Sequence, residues 1–361
     1  MLATVVPRPS SPLLVSLWPG PAPTPLRSEP ELAARCGVAR IWLKDESRRP
    51  LGNFKSLGGV YAGLRALARE GGFDSVDALL DSPKCGRERS ALICASDGNH
   101  GLAVAAGAQL AGAPARIFLP AAVPAIREAR IRRHGATVVR VDGTYDDAVS
   151  AAAEAAGRGE GLLIADTSQD PDDPVVADVM AGYGVMADEI IAQLDCEPPG
   201  RRPTHLVVQA GVGGLAAALA ERLGPHLDAP ARMGVVEPDQ AACVSPALAS
   251  GTIERIDGDL ATVAGMLACG EASAPAVARL RSVQVNPITV SEAQLTAAVV
   301  ILAEVCGVET TESGAAGLAG LVSLPLGSDA ANAFALSPSS RVLLILTEGP
   351  VRREVSAAAV S

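Results

Sequence analysis

Aromatic side chains are scarce in this 361-residue chain: Trp, Tyr and Phe make up 2% of it, against 48% hydrophobic residues in all. A core with so few rings has to be packed from Ala, Val, Leu and Gly, which suits helices lying closely on a sheet and argues against an all-β sandwich. Basic charge is short as well. The formal net charge is -10, and no Arg cluster is long, which argues against a general nucleic-acid or membrane-surface role, since these need an extended basic patch. Arg130, Arg132 and Arg133 read as a solvated helix face. No apolar run reaches the roughly 18 residues of a membrane span. The stretch 12–18 is short, has only Arg8 as a basic residue before it and runs into Pro-rich sequence, so it does not read as a signal peptide. The expectation is a cytoplasmic protein.

Cysteine is neither absent nor organised. Cys36, Cys85, Cys94, Cys196, Cys243, Cys269 and Cys306 are odd in number and widely spaced, with no metal-ligand pairing. They read mostly as small buried hydrophobes in a reducing compartment. Cys269, in the run Gly265–Glu271, stands apart from that reading.

The length suits about two domains. Residues 1 to 35 are Pro-rich with little periodicity and are expected to wrap the surface. From there, short β-branched runs alternate with Ala-rich stretches, the pattern of a parallel sheet covered on both faces. Strands are expected at 40–44, 90–96, 115–119, 137–142, 161–165, 204–210, 232–237 and 342–347. Helices are expected near 54–69, 100–111, 124–134, 144–157, 175–194, 214–223, 291–305 and 313–324. Residues 71–89 read as an exposed connection. A smaller, mobile domain is placed at 88–170, and a larger one at 1–87 together with 171–361. No repeat is evident at a period of 20 to 50 residues, so a solenoid is not expected.

Two segments carry candidate chemistry. Lys55 opens a helix in the stretch Gly52-Asn53-Phe54-Lys55-Ser56-Leu57-Gly58-Gly59. A lysine forms a Schiff base with an aldehyde only if its amine is partly neutral, and desolvation and a helix N-terminal field both push that way. The run Gln209-Ala210-Gly211-Val212-Gly213-Gly214-Leu215 follows an apolar strand and opens an Ala-rich helix, so its backbone amides can approach a phosphate. The same run also passes for a dinucleotide fingerprint, with Glu237 where a ribose-binding acid would stand. Glycines that merely tighten a turn are the third reading.

The motifs in order are Lys44-Asp45-Glu46-Ser47, Phe54–Gly59, Ser96-Asp97-Gly98-Asn99-His100-Gly101, Ala165-Asp166-Thr167, Gly182–Glu189, Val236–Asp239, Ala264–Glu271, Glu312–Ala315 and Thr347-Glu348-Gly349. With these the chain resembles the fold-type II pyridoxal-phosphate enzymes, and within them the diaminopropionate ammonia-lyase family. The resemblance implies an α/β fold of two open, twisted, mostly parallel sheets flanked by helices, in a larger and a smaller domain. It also implies pyridoxal 5'-phosphate as cofactor, a small amino-acid substrate and a homodimer.

Residue by residue, the resemblance implies that Lys55 holds the cofactor and acts as base on one face, with Asp97 as base on the other. Asp97 is also a good helix cap. Asp166 would contact the β-amino group or assist Asp97, and otherwise reads as a turn acid. Phe54, Asn99, Gly211, Val212, Gly213, Gly214, Leu215, Glu312 and Thr347 would bind the cofactor, with Asn99 on the ring hydroxyl and Thr347 facing the ring nitrogen. Ser96, Asn99 and His100 would receive the substrate carboxylate at a positive helix end. Glu312 and Ser313 equally suit a helix start. Departures from the family's pattern are Ser168 in place of an aromatic, an acidic Pro-containing segment after it, and Pro350 in place of an acid. A serine or threonine dehydratase or β-replacement enzyme of the same fold remains the runner-up. A nicotinamide-dependent oxidoreductase and a non-catalytic cofactor binder are rivals from other classes.

Overall fold

The computed structural model describes residues 23–83, 89–96, 98–195, 197–198 and 200–350. Ten strands form two sheets. The six-stranded sheet has the order β1 (Leu26–Ser28), β2 (Arg40–Asp45), β10 (Arg341–Leu346), β7 (His205–Gln209), β8 (Arg232–Pro238) and β9 (Asn286–Val290). All its pairings are parallel except β1 with β2. The four-stranded sheet runs β5 (Thr137–Val141), β4 (Ala115–Pro120), β3 (Leu92–Ala95) and β6 (Leu162–Leu163), all parallel. Parallel neighbours need crossovers, and Ala-rich helices supply them, so the central strands are buried on both sides.

The eight expected strands and eight expected helices are present, with ends shifted by a few residues. Two expectations fail. Residues 26–36 do not wrap the surface: β1 adds to the sheet edge, and the Pro30–Cys36 helix buries Leu32. The 71–89 segment is not a bare connection, because Ser75 caps a short helix, Val76–Asp81, that buries Val76 and Leu79. Residues 1–22 and the Lys84–Glu88 part of that segment lie outside the described residues.

Three helices position the site. The Lys55–Gly71 helix lies between Asn99–Ala111 and Pro174–Leu194. Its approach to the last is set by glycine: a Cβ on Gly58 would stand 2.5 Å from Tyr183 Cε1, and one on Gly182 would stand 2.5 Å from the Leu57 carbonyl. No real Cβ tolerates that separation, so the two backbones pack in near contact only because both positions lack side chains.

Beneath the Lys55 loop lies a fully occupied ionic knot. Glu189 accepts from Lys44 Nζ and from both terminal nitrogens of Arg49, each at 2.7 Å. Arg49 also grips Glu46 at 2.7 and 2.8 Å, and Thr24 donates to Glu46 at 2.5 Å. All five residues are buried. Burial pushes the Glu189 carboxyl up, but Arg49 and Lys44 outweigh it and hold it below its ordinary range. Removing one partner would leave buried charge uncompensated, at a cost of about 3–5 kcal/mol. Glu189→Gln is therefore expected to lower unfolding stability by about that amount at pH 7, read from urea denaturation. A carboxyl depressed in the folded state contributes fully above its unfolded value of about 4.3 and loses that contribution as pH falls through the folded one. The gap between wild type and variant should then shrink in acid, and a gap that stays constant would contradict this account.

Candidate active site

The Lys55 loop is fastened to the end of β10. Phe54 N donates to the Thr347 carbonyl at 3.0 Å, and Gly349 N donates to the Gly52 carbonyl at 3.0 Å. Leu51, at φ +68°, and Gly52, at φ +73°, turn the chain sharply just before the helix. The first helical amide, that of Lys55, donates to Asn53 Oδ1 at 3.0 Å. Lys55 is thus delivered by a helix start whose entry is fixed from three directions.

Its side chain enters a cleft of ≈ 890 Å³, counting the open mouth. Phe54, Ser96, Asn99, His100, Asp166 and Thr347 line the same cleft, as does the whole Gly211–Leu215 run. Glu312 does not: it begins the Glu312–Val322 helix and faces an adjoining cavity, while its neighbour Ser313 lines both. Asp97 lies outside the described residues.

The amine of Lys55 forms an ion pair with Asp166, which follows β6 in the other sheet. This changes the protonation expected from sequence. Burial does disfavour the ammonium, but Asp166 outweighs it, and the pKa stands well above that of an ordinary lysine. Burial likewise opposes charge on Asp166, yet Lys55 holds its carboxyl well below the usual range. The push toward a neutral amine expected from desolvation and a helix end is therefore opposed by an opposite charge in contact.

His100 is buried, and its Nε2 donates to the Ile164 carbonyl at 2.8 Å. That contact fixes the neutral tautomer, so Nδ1 is a bare acceptor. Nδ1 has no hydrogen-bond partner among the described residues and sits 4.0 Å from Asp166 Oδ2. Burial, ahead of all other influences, pushes the ring's pKa down. Ser96 Oγ accepts from the amides of Gly98 at 3.0 Å and Gly101 at 2.8 Å, which caps the Asn99–Ala111 helix. Asn99 donates to Glu348, whose carboxyl also accepts from Thr311 Oγ1 at 2.5 Å.

On the far wall, Gly213 has φ +97° and the Gly214–Leu223 helix begins beside it. First-turn amides of a helix have no intrahelical acceptor and are available to an anion. A side chain at Gly211 would require the Cys269 thiol to give way, since a Cβ would stand 3.0 Å from its Sγ. Gln209 Nε2 donates to Thr347 Oγ1 at 3.0 Å, so the Thr347 hydroxyl has its own hydrogen left to donate. Gln209 Oε1 and the Tyr183 hydroxyl are buried without partners among the described residues.

Glu237 decides against the dinucleotide reading of the glycine run. Its carboxylate accepts from Val244 N at 2.6 Å and from Ser245 N and Oγ at 2.8 and 2.5 Å. It is buried as the cap of the Val244–Ser250 helix and does not line the cleft, so it offers nothing to a ribose.

Tyr183, Gln209, Glu348 and Cys269 line the site without having been assigned roles from sequence. The rarity of tyrosine, three in the chain, was the one signal that could have singled out Tyr183. The described cysteines are free: Cys94, Cys243 and Cys306 are buried, and Cys36 and Cys269 partly so. Cys85 and Cys196 lie outside the described residues. Of the three arginines read as solvated, Arg130 donates to the Leu51 carbonyl at 2.6 Å and steadies the loop before Lys55, whereas Arg132 is exposed and pairs with Glu128. Among the described residues no group of His, Cys, Asp and Glu could hold a metal ion, and no helix is long and apolar enough to cross a membrane.

A lysine in a cleft with a glycine cradle at a helix start defines a class of cofactor enzyme. The family model described as "Pyridoxal-phosphate dependent enzyme" matches residues 17–348, and the chain belongs to that family. The diaminopropionate ammonia-lyase of Escherichia coli K12 is 32% identical over 343 residues, covering 91% of this chain and 85% of the relative. The enzyme of that name from Salmonella typhimurium LT2 is 34% identical over 357 residues, covering 93% and 87%. A crystal structure of the E. coli enzyme in complex with an aminoacrylate-PLP azomethine reaction intermediate has a TM-score of 0.82 at 30% identity, covering 94% of this chain and 87% of that one. The fold is that of the fold-type II enzymes, and the cofactor is pyridoxal phosphate. The donor set fits it: an amine for the aldehyde, a glycine cradle for the phosphate ester, a hydroxyl for the ring nitrogen, and orphaned polar atoms around them.

If Asp166 holds the proton on Lys55, Asp166→Asn should lower the pH at which the Lys55 amine becomes reactive toward an amine-selective reagent in cofactor-free protein. The measurement is labelling rate against pH, and an unchanged midpoint would remove Asp166 from this role.

Proposed function

We propose that the protein eliminates ammonia from 2,3-diaminopropionate and yields pyruvate and a second ammonia. The observation that carries this reading is the Lys55–Asp166 pair facing a glycine cradle, in a chain related over most of its length to ammonia-lyases of that substrate. When bound, pyridoxal phosphate supplies the electron sink that lets the α-carbon lose its proton and pass the electron pair on to expel the β-amino group.

The roles proposed here combine the placement of the described residues with the family resemblance, on which the role of Asp97 rests alone. Lys55 would anchor the cofactor and would take the α-proton from one face. Asp97 is the base on the opposite face, which would admit the mirror-image substrate. Asp166, which faces Lys55 across the cleft, would attract the cationic β-amino group of the substrate and orient it for departure. Ser96, Asn99 and His100 receive the substrate carboxylate, and Phe54, Asn99, Gly211–Leu215 and Thr347 hold the cofactor. Thr347 donates a hydrogen bond to the ring nitrogen without protonating it, supported by Gln209 as its own donor. A ring left neutral is a weaker electron sink, which favours prompt expulsion of a β-substituent. Glu312 joins this set only through its helix, whose start is shared by both cavities. The released enamine is hydrolysed in water to pyruvate and ammonia. Residues 88–170 form the small domain that closes over the substrate and excludes water until release. The same reading makes the protein a cytoplasmic homodimer; the five described cysteines, all free, suit a reducing compartment.

The purified, cofactor-loaded protein should release pyruvate from both D- and L-2,3-diaminopropionate faster than it releases pyruvate from serine or 2-oxobutyrate from threonine. Lys55→Ala should lower the rate by at least about 10²–10⁴-fold. A 2-oxo acid formed from serine or threonine alone would turn the assignment to a dehydratase.

A further inference from the structure

The Tyr183 hydroxyl is a buried side-chain donor in the cleft wall that the reading above leaves unused. The residue is 1% exposed, and its oxygen has no hydrogen-bond partner among the described residues. A buried tyrosine normally finds one, and an orphaned hydroxyl costs about 1–3 kcal/mol.

The ring is held too firmly for the hydroxyl to turn elsewhere. Phe54 packs on it with centroids 5.0 Å apart and planes tilted by 54°. One ring edge, Cε1, faces Gly58 on the helix that Lys55 begins. The other edge, Cε2, faces Gly214, 3.8 Å from where a Cβ there would stand. The hydroxyl, borne by the carbon between these two edges, therefore points between the lysine and the glycine cradle. On pyridoxal phosphate the aldehyde and the phosphate ester are carried on adjacent ring carbons, so a group placed between lysine and cradle reaches both.

We infer that Tyr183 is a cofactor-binding residue whose hydroxyl donates to the phosphate ester in the Gly211–Leu215 cradle and accepts from the Lys55 amine. A tyrosine hydroxyl has one hydrogen to give and lone pairs to receive, which matches an anion on one side and an amine on the other. Burial, partly countered by Lys55, pushes its pKa up to about 12, so it keeps the hydrogen it donates. Scarce as rings are in this chain, two of them are spent on this strut.

This inference rests on the pyridoxal-phosphate reading, and the test separates the two. Full-chain wild type and Tyr183→Phe are brought to equilibrium dialysis against pyridoxal phosphate and, separately, against pyridoxal, with bound cofactor read by visible absorption. Phe keeps the ring packing, and the unfolding midpoint of each protein is the control. The variant is expected to lose about tenfold in affinity for pyridoxal phosphate relative to its loss for pyridoxal, the size of one hydrogen bond to a charged group. Equal loss for both ligands would assign Tyr183 to packing alone, and no loss for either would remove it from the site. Both results overturn the inference while leaving the cofactor reading intact. Wild type that retains no pyridoxal phosphate would overturn both.

Discussion

The ion pair between Lys55 and Asp166 is the contact on which the rest of the site depends. Lys55 follows β2 of the six-stranded sheet, and Asp166 follows β6 of the four-stranded sheet. Their meeting fixes where the ends of the two sheets face one another, and hence where the cleft lies. The pair is mostly shielded, with side chains 21% and 11% exposed, so its attraction is screened less than at an open surface. A carboxylate built to hold one ammonium is left in want of another when that lysine is engaged by the cofactor. On the proposed reading a diamine supplies it, so one acid both stores the lysine in its charged form and selects a cationic leaving group.

On the proposed reading, the cofactor's other anchor points are mechanically tied to that lysine. Backbone bonds from Phe54 to Thr347 and from Gly349 to Gly52 join the lysine loop to the end of β10. Gln209, just before the glycine cradle, reaches Thr347 and the start of the Glu312–Val322 helix. The amine, the hydroxyl and the phosphate cradle thus belong to one hydrogen-bonded frame, with the ionic knot of Glu46, Arg49, Lys44 and Glu189 beneath it. Preorganisation of this kind limits how far any one contact can drift from the others.

Much of the scaffold was legible because buried parallel strands and Ala-rich helices write simple patterns. What escaped was short or atypical. Leu26–Ser28 is three residues among prolines, and Asn286–Val290 carries Pro287, which suits an edge strand and hides it from a search for β-branched runs. In the site, the lysine, the glycine cradle and the serine-to-histidine turn were readable as local motifs. The partnership of Lys55 with Asp166 was not, because it crosses from one sheet to the other. Tyr183 escaped for a similar reason: its place follows from two glycines on different helices, and neither signals the other in sequence.

The segment after Asp166 is held differently from everything else around the cleft. Ser168 accepts a backbone bond from Ala274 at 2.9 Å, and Gln169 donates to Glu271 at 2.7 Å at the exposed surface. Polar contacts open to water contribute about 1 kcal/mol or less each, far below the buried frame beneath the lysine. The Ser168–Gln169 segment, two residues past the cleft-lining Asp166, is therefore free to be rewritten by substitution while that frame stays put. A lineage carrying this architecture can change what it consumes without first relearning how to fold.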